Sequence, residues 1–283
     1  MAVLLDRVIT SNSGSEHTGD IVELLGQPFY DQYPQNALKK AKEYAGKNGF
    51  VASLPQLLHG ISVSPDGIET LNKVYYTPLS EEDVGKSPDG NDVFIEVHGG
   101  GILHSPARIE HANNQSLLEG AAKFYDNEII NLLHGMLPDG TEIPVYSFDD
   151  LKNGIANLPM RYAIVTDLNR VKQSISGYHD IGDLYNNELF IMRAGSVEQA
   201  VRILDKAKEK YQEFGNRHSL NNVDPYHPQG RSLLLNQGDF GISDVGLYYG
   251  NFVSVSPKVL EAFLDSTRKA SLEGRVQTAL ESP

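Results

Sequence analysis

A histidine followed by three glycines, His98-Gly99-Gly100-Gly101, closes an apolar run of residues. Each glycine loses more backbone freedom on folding than any other residue, so three in succession cost stability. That cost is tolerated where a chain turns sharply or where bare N–H groups must approach a ligand. The tetrapeptide therefore predicts a site in which the glycine N–H groups bind substrate and His98 exchanges protons. The alternative is a tight turn packed against another backbone.

The same four residues resemble the oxyanion-hole motif of the lipase and esterase branch of the α/β-hydrolases, in which glycine N–H groups stabilise a tetrahedral oxyanion. The resemblance implies a nucleophilic serine in a G-x-S-x-G elbow. No serine of this chain has glycines two positions before and two positions after it, and the stretch 241–246 is one residue too long. A hydrolase of that family would lack its nucleophile here.

Histidines and carboxylates near the glycines raise a second hypothesis, a metal site. His104 and His111 follow His98 within fourteen residues, with Glu96 and Glu110 beside them. Imidazole and carboxylate are good ligands for divalent first-row metals, although the spacing matches no common motif such as H-E-x-x-H. A divalent metal held by His104 and His111 is thus the cofactor that remains open, since no G-x-G-x-x-G nucleotide motif occurs. The alternative is histidines bonded to backbone.

Polar residues also follow three predicted strands of the chain. In an open α/β sheet, ligands bind outside the carboxyl ends of parallel strands. We therefore expect Asp167 to join His98 as an acid/base residue. Arg193 and Ser196 would bind an anionic substrate at the same edge of the sheet.

Two further candidates lie in loop-like stretches. His179 precedes Asp180 in a polar segment, where a neighbouring carboxylate would orient it as a general base; the alternative is a solvated loop. Arg231 lies in 215–250, a segment rich in Gly, Asn, Asp and Pro. That segment is predicted to be irregular apart from 232–235, and Arg231 is assigned to substrate binding.

The spacing of apolar residues along the chain predicts the helices and strands that position these candidate residues. Helices are predicted over 35–45 and 115–133 and from a capping box at Ser196, and strands over 161–166 and 188–192. Strands that alternate with amphipathic helices favour an α/β or α+β fold, with a mixed, partly parallel sheet covered by helices. We predict an N-terminal helical elaboration over 1–77 and a main α/β domain over 78–283. The first residues of the main domain, 78–91, are predicted to be a loop that marks the boundary.

Composition restricts the partners. The chain has no cysteine, which excludes thiol catalysis and cysteine-ligated zinc, and its net charge of −13 disfavours nucleic acid and anionic membranes. The first residues do not form a secretory signal, so we expect a soluble cytoplasmic protein with a small-molecule ligand. A homo-oligomer stays open.

Two classes of function follow from these residues. The first is an enzyme acting on a small, anionic metabolite, with a metal-assisted hydrolase or lyase as a variant. The second is a non-catalytic binding or assembly protein that uses segment 215–250 as its partner surface.

Overall fold

The computed structural model describes residues 26–64, 67–68, 75–115, 117, 120–236, 241–244, 247 and 250–257. The strands are β1 (Gln27–Asp31), β2 (Phe50–Val51), β3 (Ser80–Lys86), β4 (Asp92–His98), β5 (Ala122–Lys123), β6 (Val145–Ser147), β7 (Tyr162–Asp167), β8 (Gly177–Asp180), β9 (Glu213–Arg217), β10 (Gln229–Asn236), β11 (Gly241–Asp244) and β12 (Gly250–Val255). The α-helices are α1 (Pro34–Ala45), α2 (Leu54–Val63), α3 (Pro106–Asn114), α4 (Asp126–Leu133), α5 (Phe148–Asn153), α6 (Leu168–Lys172), α7 (Ile181–Leu184), α8 (Glu188–Ala194) and α9 (Val197–Lys208).

The strands of the described residues form two sheets. The smaller has the order β1-β12-β2, and the larger has the order β6-β7-β4-β3-β10-β11-β9-β8, with β5 paired to β10. The pairs β6–β7 and β9–β11 are parallel, whereas β3–β4 and β4–β7 are antiparallel. Helices pack on this mixed sheet. The architecture is α+β, which confirms the predicted fold class.

Both faces of the large sheet are covered, as β4 shows. Side chains alternate across a strand, so Phe94 packs into one apolar cluster while Ile95 and Val97 pack into another. A strand buried on both faces needs apolar residues at successive positions, which explains the apolar run before the glycines. In the described part of the chain, no helix combines the length and the apolar character needed to cross a membrane.

The predicted helix after Ser196 is present as α9. The Ser196 Oγ accepts a hydrogen bond from the Gln199 N–H at 3.0 Å, so this residue is the N-cap. The buried residues share one helical face: Ala200, Ile203, Leu204 and Ala207. Helix α1 likewise occupies the predicted range 35–45. Amphipathic helices of this length show the helical period of apolar residues in the sequence, which makes them predictable.

The predicted strand at 188–192 is wrong, because those residues belong to α8. The Asn187 side chain accepts from the Phe190 N–H at 2.9 Å at its start, and Gly195 ends it in the left-handed conformation. From Leu189 to its last residue the helix is buried. A short run that is apolar on every side has no period by which to tell a helix from a strand.

The predicted helix over 115–133 is also too long. Among the described residues of this range, Asp126–Leu133 forms α4 and Ala122–Lys123 forms β5 against β10. Gly120 has φ +88°, a conformation that an α-helix does not allow. Residues 116, 118 and 119 of the predicted range lie outside the described residues.

The predicted loop at 78–91 contains β3, which pairs with β4 over its whole length. Its acidic residues Glu81, Glu82 and Asp83 are buried in the sheet, so their polarity did not indicate exposure.

Segment 215–250 contains β10 and β11 and is more regular than predicted. The domain division at residue 77 stays a prediction, and residues 1–25 lie outside the described residues.

Candidate functional site

The glycine bend, residues 99–103, wraps around the carboxylate of Glu81 on β3. The N–H groups of Ile102 and Leu103 donate to its two oxygens at 2.5 and 2.9 Å. A Cβ at Gly101 would collide with this carboxylate, and Gly99 has φ +79° beside the Met160 carbonyl. The glycines therefore allow the backbone to close around an internal anion.

Two further N–H groups of the bend donate within the protein. Gly99 and Gly100 both donate to the Leu79 carbonyl, at 2.8 and 3.0 Å. Two of the three predicted glycine donors thus have a protein acceptor. The bend stabilises the connection between β4 and α3, and its substrate-binding role stays a prediction.

His98 is fully buried with a partner at each ring nitrogen. Its Nε2 lies 2.9 Å from the Met192 carbonyl oxygen, and its Nδ1 lies 2.9 Å from the Ser80 Oγ, which also accepts the Leu54 N–H. Because a carbonyl can only accept, Nε2 carries the proton and Nδ1 accepts from the serine hydroxyl. Burial lowers the pKa of His98 to about 4, so the ring is neutral at pH 7. It connects β4 to α2 and α8.

Asp167 lies far from His98, although both end a strand. The strands β4 and β7 are antiparallel, with His98 opposite Tyr162 and Asp167 opposite Val93. At about 3.3 Å per residue, the two residues are separated by roughly 17 Å along the pair. The Asp167 carboxylate accepts from the Asn169 N–H at 2.7 Å and caps α6. The expected meeting of carboxyl ends at one edge is wrong here because the strands are not parallel.

Arg193 is fully buried on α8 and has internal partners. Its Nε donates to Glu82 Oε1 and its Nη1 donates to Asn216 Oδ1, each at 2.6 Å. Glu96 pairs with Glu82 across the sheet, and burial together with the Glu82 charge holds the pKa of Glu96 well above its usual range. Arg193 therefore neutralises carboxylates within the core.

The two candidate metal ligands lie in different environments. His104 is buried, with Nδ1 2.7 Å from Glu81 Oε2, whereas His111 is on the exposed face of α3 beside Gln115. Among the described residues, no group of three or more histidine, aspartate or glutamate side chains could hold a metal ion. The structure does not bring the predicted ligands together.

His179 and Ser196 occupy two further hollows. His179 Nε2 lies 2.7 Å from the Ile175 carbonyl oxygen, while Asp180 accepts from the Gly182 N–H and caps α7, so this carboxylate does not orient the imidazole. Ser196 lies in a cleft of about 650 Å³ between α2 and α9. The predicted catalytic residues His98, Asp167 and His179 are thus separated, and their roles stay predictions.

A different cleft gathers exposed aromatic and polar side chains. We call it the tyrosine cleft. Its volume is about 570 Å³, within the range of small-molecule sites. Its lining consists of Lys123, Phe124, Tyr125, Asp126, Ser219, Asn222, Val223, Asp224, Tyr226, His227, Pro228, Gln229 and Arg231. Two of these, Tyr125 and Tyr226, are 63% and 73% exposed, an unusual degree for large aromatic rings.

One wall of the cleft is built by β5 and the start of α4. The Phe124 N–H donates to the Pro228 carbonyl at 2.8 Å, which joins this wall to the other. The Tyr125 N–H donates to Glu128 Oε2 at 2.9 Å, a capping contact that fixes the start of α4. Gly230 leaves room for the Phe124 ring, which a Cβ would strike. Tyr125 therefore projects from a rigid base.

The other wall is a tight turn over residues 224–227. Asp224 accepts from the Tyr226 N–H at 3.0 Å and lies 2.8 Å from His227 Nδ1. Such a side-chain-to-backbone turn stiffens a loop without a helix or strand. The Lys86 ammonium lies 4.0 Å from the centroid of the Tyr226 ring, which orients the ring further.

The cleft ends at a buried arginine. Arg231 on β10 is 5% exposed, and its Nε lies 3.9 Å from Asp244 Oδ2. Asp244 also accepts from the Ser219 N–H at 2.8 Å and from the Ser219 Oγ at 3.2 Å. Burial, and then the Glu82 charge, raise the pKa of Asp244 to about 6. The floor of the cleft thus belongs to the polar network of the core.

Comparisons with known proteins identify the fold. No protein-family model and no curated protein sequence matches the chain. A solved structure described as "Accommodation of massive sequence variation in Nanoarchaeota by the C-type lectin fold" is similar, with a TM-score of 0.61 and 24% sequence identity. The match covers 81% of this chain and 95% of that chain. The chain therefore shares this C-type lectin-like fold.

The fold similarity overturns the expected metal-assisted hydrolase or lyase. A metal-assisted hydrolase or lyase acting on a small metabolite was predicted, and that prediction is wrong, since the similar structure has a lectin-like fold. The geometry agrees, because the residues assigned to catalysis are dispersed.

Sequence reasoning missed Tyr125 and Tyr226 but did select Arg231, which lines the same cleft. One signal could have indicated Tyr226, the sequence Asp-Pro-Tyr-His-Pro at 224–228. Prolines on both sides of a tyrosine predict a stiff turn that displays it. Nothing in the sequence pairs this turn with Tyr125.

Proposed function

We propose that this chain is a non-catalytic binding protein that recognises a saccharide in the tyrosine cleft. The observation that carries the proposal is the pair of exposed rings, Tyr125 and Tyr226, on a cleft whose lining combines apolar and hydrogen-bonding side chains. A sugar ring presents an apolar C–H face and a rim of hydroxyl groups. Such a ligand needs both kinds of surface, stacking aromatic rings and polar acceptors and donors.

The polar lining suits hydroxyl recognition. Gln229 and Asn222 offer amide donors and acceptors, and the Ser219 hydroxyl offers a further acceptor. The volume of about 570 Å³ would take one or two sugar rings. The fold similarity supports binding as the class of function. A fold that accommodates massive sequence variation in another protein suits a role carried by surface residues.

Titration with methyl glycosides tests the proposal. Methyl glycosides of glucose, galactose, mannose, N-acetylglucosamine and glucuronic acid would each be titrated into the full chain by calorimetry and saturation-transfer NMR. We expect at least one to bind, and Tyr226→Ala to weaken that binding about ten-fold through loss of the stacked face. The matched control is Tyr33→Ala, which removes a ring that is 53% exposed outside the cleft.

The proposal fails if none of these glycosides binds. It also fails if Tyr226→Ala and Tyr33→Ala bind as the unchanged chain does. Circular dichroism and thermal unfolding would establish that both variants are folded.

A further inference from the structure

The charged residues at one end of the tyrosine cleft indicate which chemical class of ligand it binds. Arg231 is more than nine-tenths buried yet lines the cleft, which places a guanidinium where a ligand would end. A guanidinium is always charged and presents a planar set of donors that matches a carboxylate. Its position on β10, between neighbouring strands, holds it in place.

A second cation lies on the rim of the same end. Lys123 on β5 pairs with Gln229 on β10 and is exposed, two residues from Arg231 along the partner strand. Successive residues of a strand point to opposite faces, so Gln229 and Arg231 share a face. The cleft therefore has a buried cation at its floor and an exposed one at its edge.

The acidic residues of the cleft are largely engaged elsewhere. The Asp224 carboxylate holds the Tyr226 N–H and His227, and this contact with both groups lowers the pKa of Asp224. Asp126 is in the first turn of α4, where the helix dipole favours a negative charge. Asp244 lies outside the cleft lining, 3.9 Å from the Arg231 Nε, and offsets part of its charge, so a ligand carboxylate would meet Arg231 and Lys123 together.

We propose that the ligand of the tyrosine cleft is an acidic saccharide, with its carboxylate at Arg231 and Lys123 and its ring against Tyr226. This inference rests on the proposed saccharide binding at the same site. A uronic acid fits the description, because its carboxylate is attached directly to the sugar ring. The ring and the carboxylate then reach the aromatic wall and the cationic end together.

A matched pair of ligands tests the inference separately from the proposed function. Methyl glucoside and methyl glucuronide differ only at C6, which is a CH₂OH group in one and a carboxylate in the other. Each would be titrated calorimetrically into the full chain at low and at high salt. We expect the glucuronide to bind at least ten-fold more tightly at low salt and to lose much of this preference at high salt.

Two variants test whether Lys123 and Arg231 cause the preference for the glucuronide. Lys123→Gln changes an exposed residue and should reduce the preference several-fold, and Arg231→Lys should reduce it further because the planar fork is lost. Lys152→Gln is the control, since it removes one exposed charge at the other large cleft. If Arg231→Lys impairs folding, Lys123→Gln and the salt series still decide the matter.

The outcomes separate the two proposals. If both glycosides bind equally and Tyr226→Ala weakens both, saccharide binding stands and the acidic ligand is refuted. A preference that Lys152→Gln reduces as much as Lys123→Gln also refutes it, because the effect is then one of net charge. If neither glycoside of this pair nor the other sugars bind, both proposals fail.

Discussion

The glycine bend and the tyrosine cleft both concentrate polar groups on the large sheet, but they differ in what those groups face. At the bend, Glu81 accepts two backbone N–H groups at 2.5 and 2.9 Å, and the neighbouring His98 is fully buried. At the cleft, Tyr125 and Tyr226 are mostly exposed above a floor that ends in Arg231. The comparison shows that residue types suited to catalysis can instead stabilise the fold when other residues of the same chain form their hydrogen bonds.

The largest expected effect is on the stability of the bend. Glu81→Gln replaces one acceptor oxygen by an NH₂ group facing a backbone donor, so we expect the free energy of unfolding to fall by about 3 kcal/mol. Chemical denaturation measures it. Glu110→Gln, on the exposed face of α3, is the control and should stay within about 0.5 kcal/mol. Equal effects of the two substitutions would contradict the internal role of Glu81.

The second prediction concerns pH and His98. Its pKa is lowered to about 4 in the folded state from 6.5, so the unfolded chain binds more protons between these values. The His98 contribution is therefore fully present above pH 6.5 and is lost as the pH falls to 4, by about 3 kcal/mol. We expect the difference in unfolding free energy between the unchanged chain and His98→Gln to shrink by that amount over this window.

Denaturant titrations at a series of pH values give this difference directly. Gln retains a donor for the Met192 carbonyl, which keeps the comparison close. His111→Gln is the control for the substitution itself, because that histidine is exposed on α3. A parallel curve for His98→Gln would show that the histidine is not buried in its neutral form.

A third, smaller effect links the core network to the cleft. Asp244, whose pKa is raised to about 6, faces Glu82, Arg193 and Arg231 and accepts two hydrogen bonds from Ser219. It loses its charge below pH 6, which would leave the nearby guanidinium more attractive to an anion. Asp244→Asn should therefore bind methyl glucuronide about five-fold more tightly at pH 7.5, a gain of about 1 kcal/mol.

The pH series sharpens this third prediction. Binding by the unchanged chain should strengthen as the pH falls from 7.5 to 5.5, while binding by Asp244→Asn should change little. Methyl glucoside, titrated in parallel, carries no charge and should show neither effect. A variant that keeps the pH dependence of the unchanged chain would exclude Asp244 as its source.

The smallest expected effect concerns the orientation of a tyrosine. Lys86→Gln removes the ammonium that lies 4.0 Å from the Tyr226 ring centroid, so the ring should gain freedom and the affinity for the bound glycoside should fall about two-fold. Lys40→Gln is matched, since each lysine forms an ion pair with one aspartate. Calorimetry would show whether the two variants differ; identical affinities would mean that Lys86 does not position the ring.

Particular elements show how far the sequence predicts this fold. Helices α1 and α9 were predictable because each is amphipathic and begins with a recognisable start signal, such as the Ser196 cap. Strand β3 was not, since Glu81 and Glu82 are buried beside residues that only the sheet brings near. Helix α8 was not predictable either, because a segment buried on every side lacks a period.

The candidate site likewise has one part that the local sequence predicts and one part that it does not. Arg231 and the stiff turn around Tyr226 could be read from local composition. The opposite wall with Tyr125 comes from a distant part of the chain and joins the turn through β5 and β10. No local pattern carries such a pairing.

The sequence by itself determined the amphipathic helices, the apolar strand before the glycines and the tight turns, because these depend on neighbours along the chain. Tertiary structure alone decided that β4 and β7 run antiparallel, which moves Asp167 away from His98. It also decided that the Glu81 carboxylate accepts the N–H groups of Ile102 and Leu103 in the glycine bend. Burial of a polar group depends on which distant residues supply its hydrogen bonds, and those residues meet only in the folded protein.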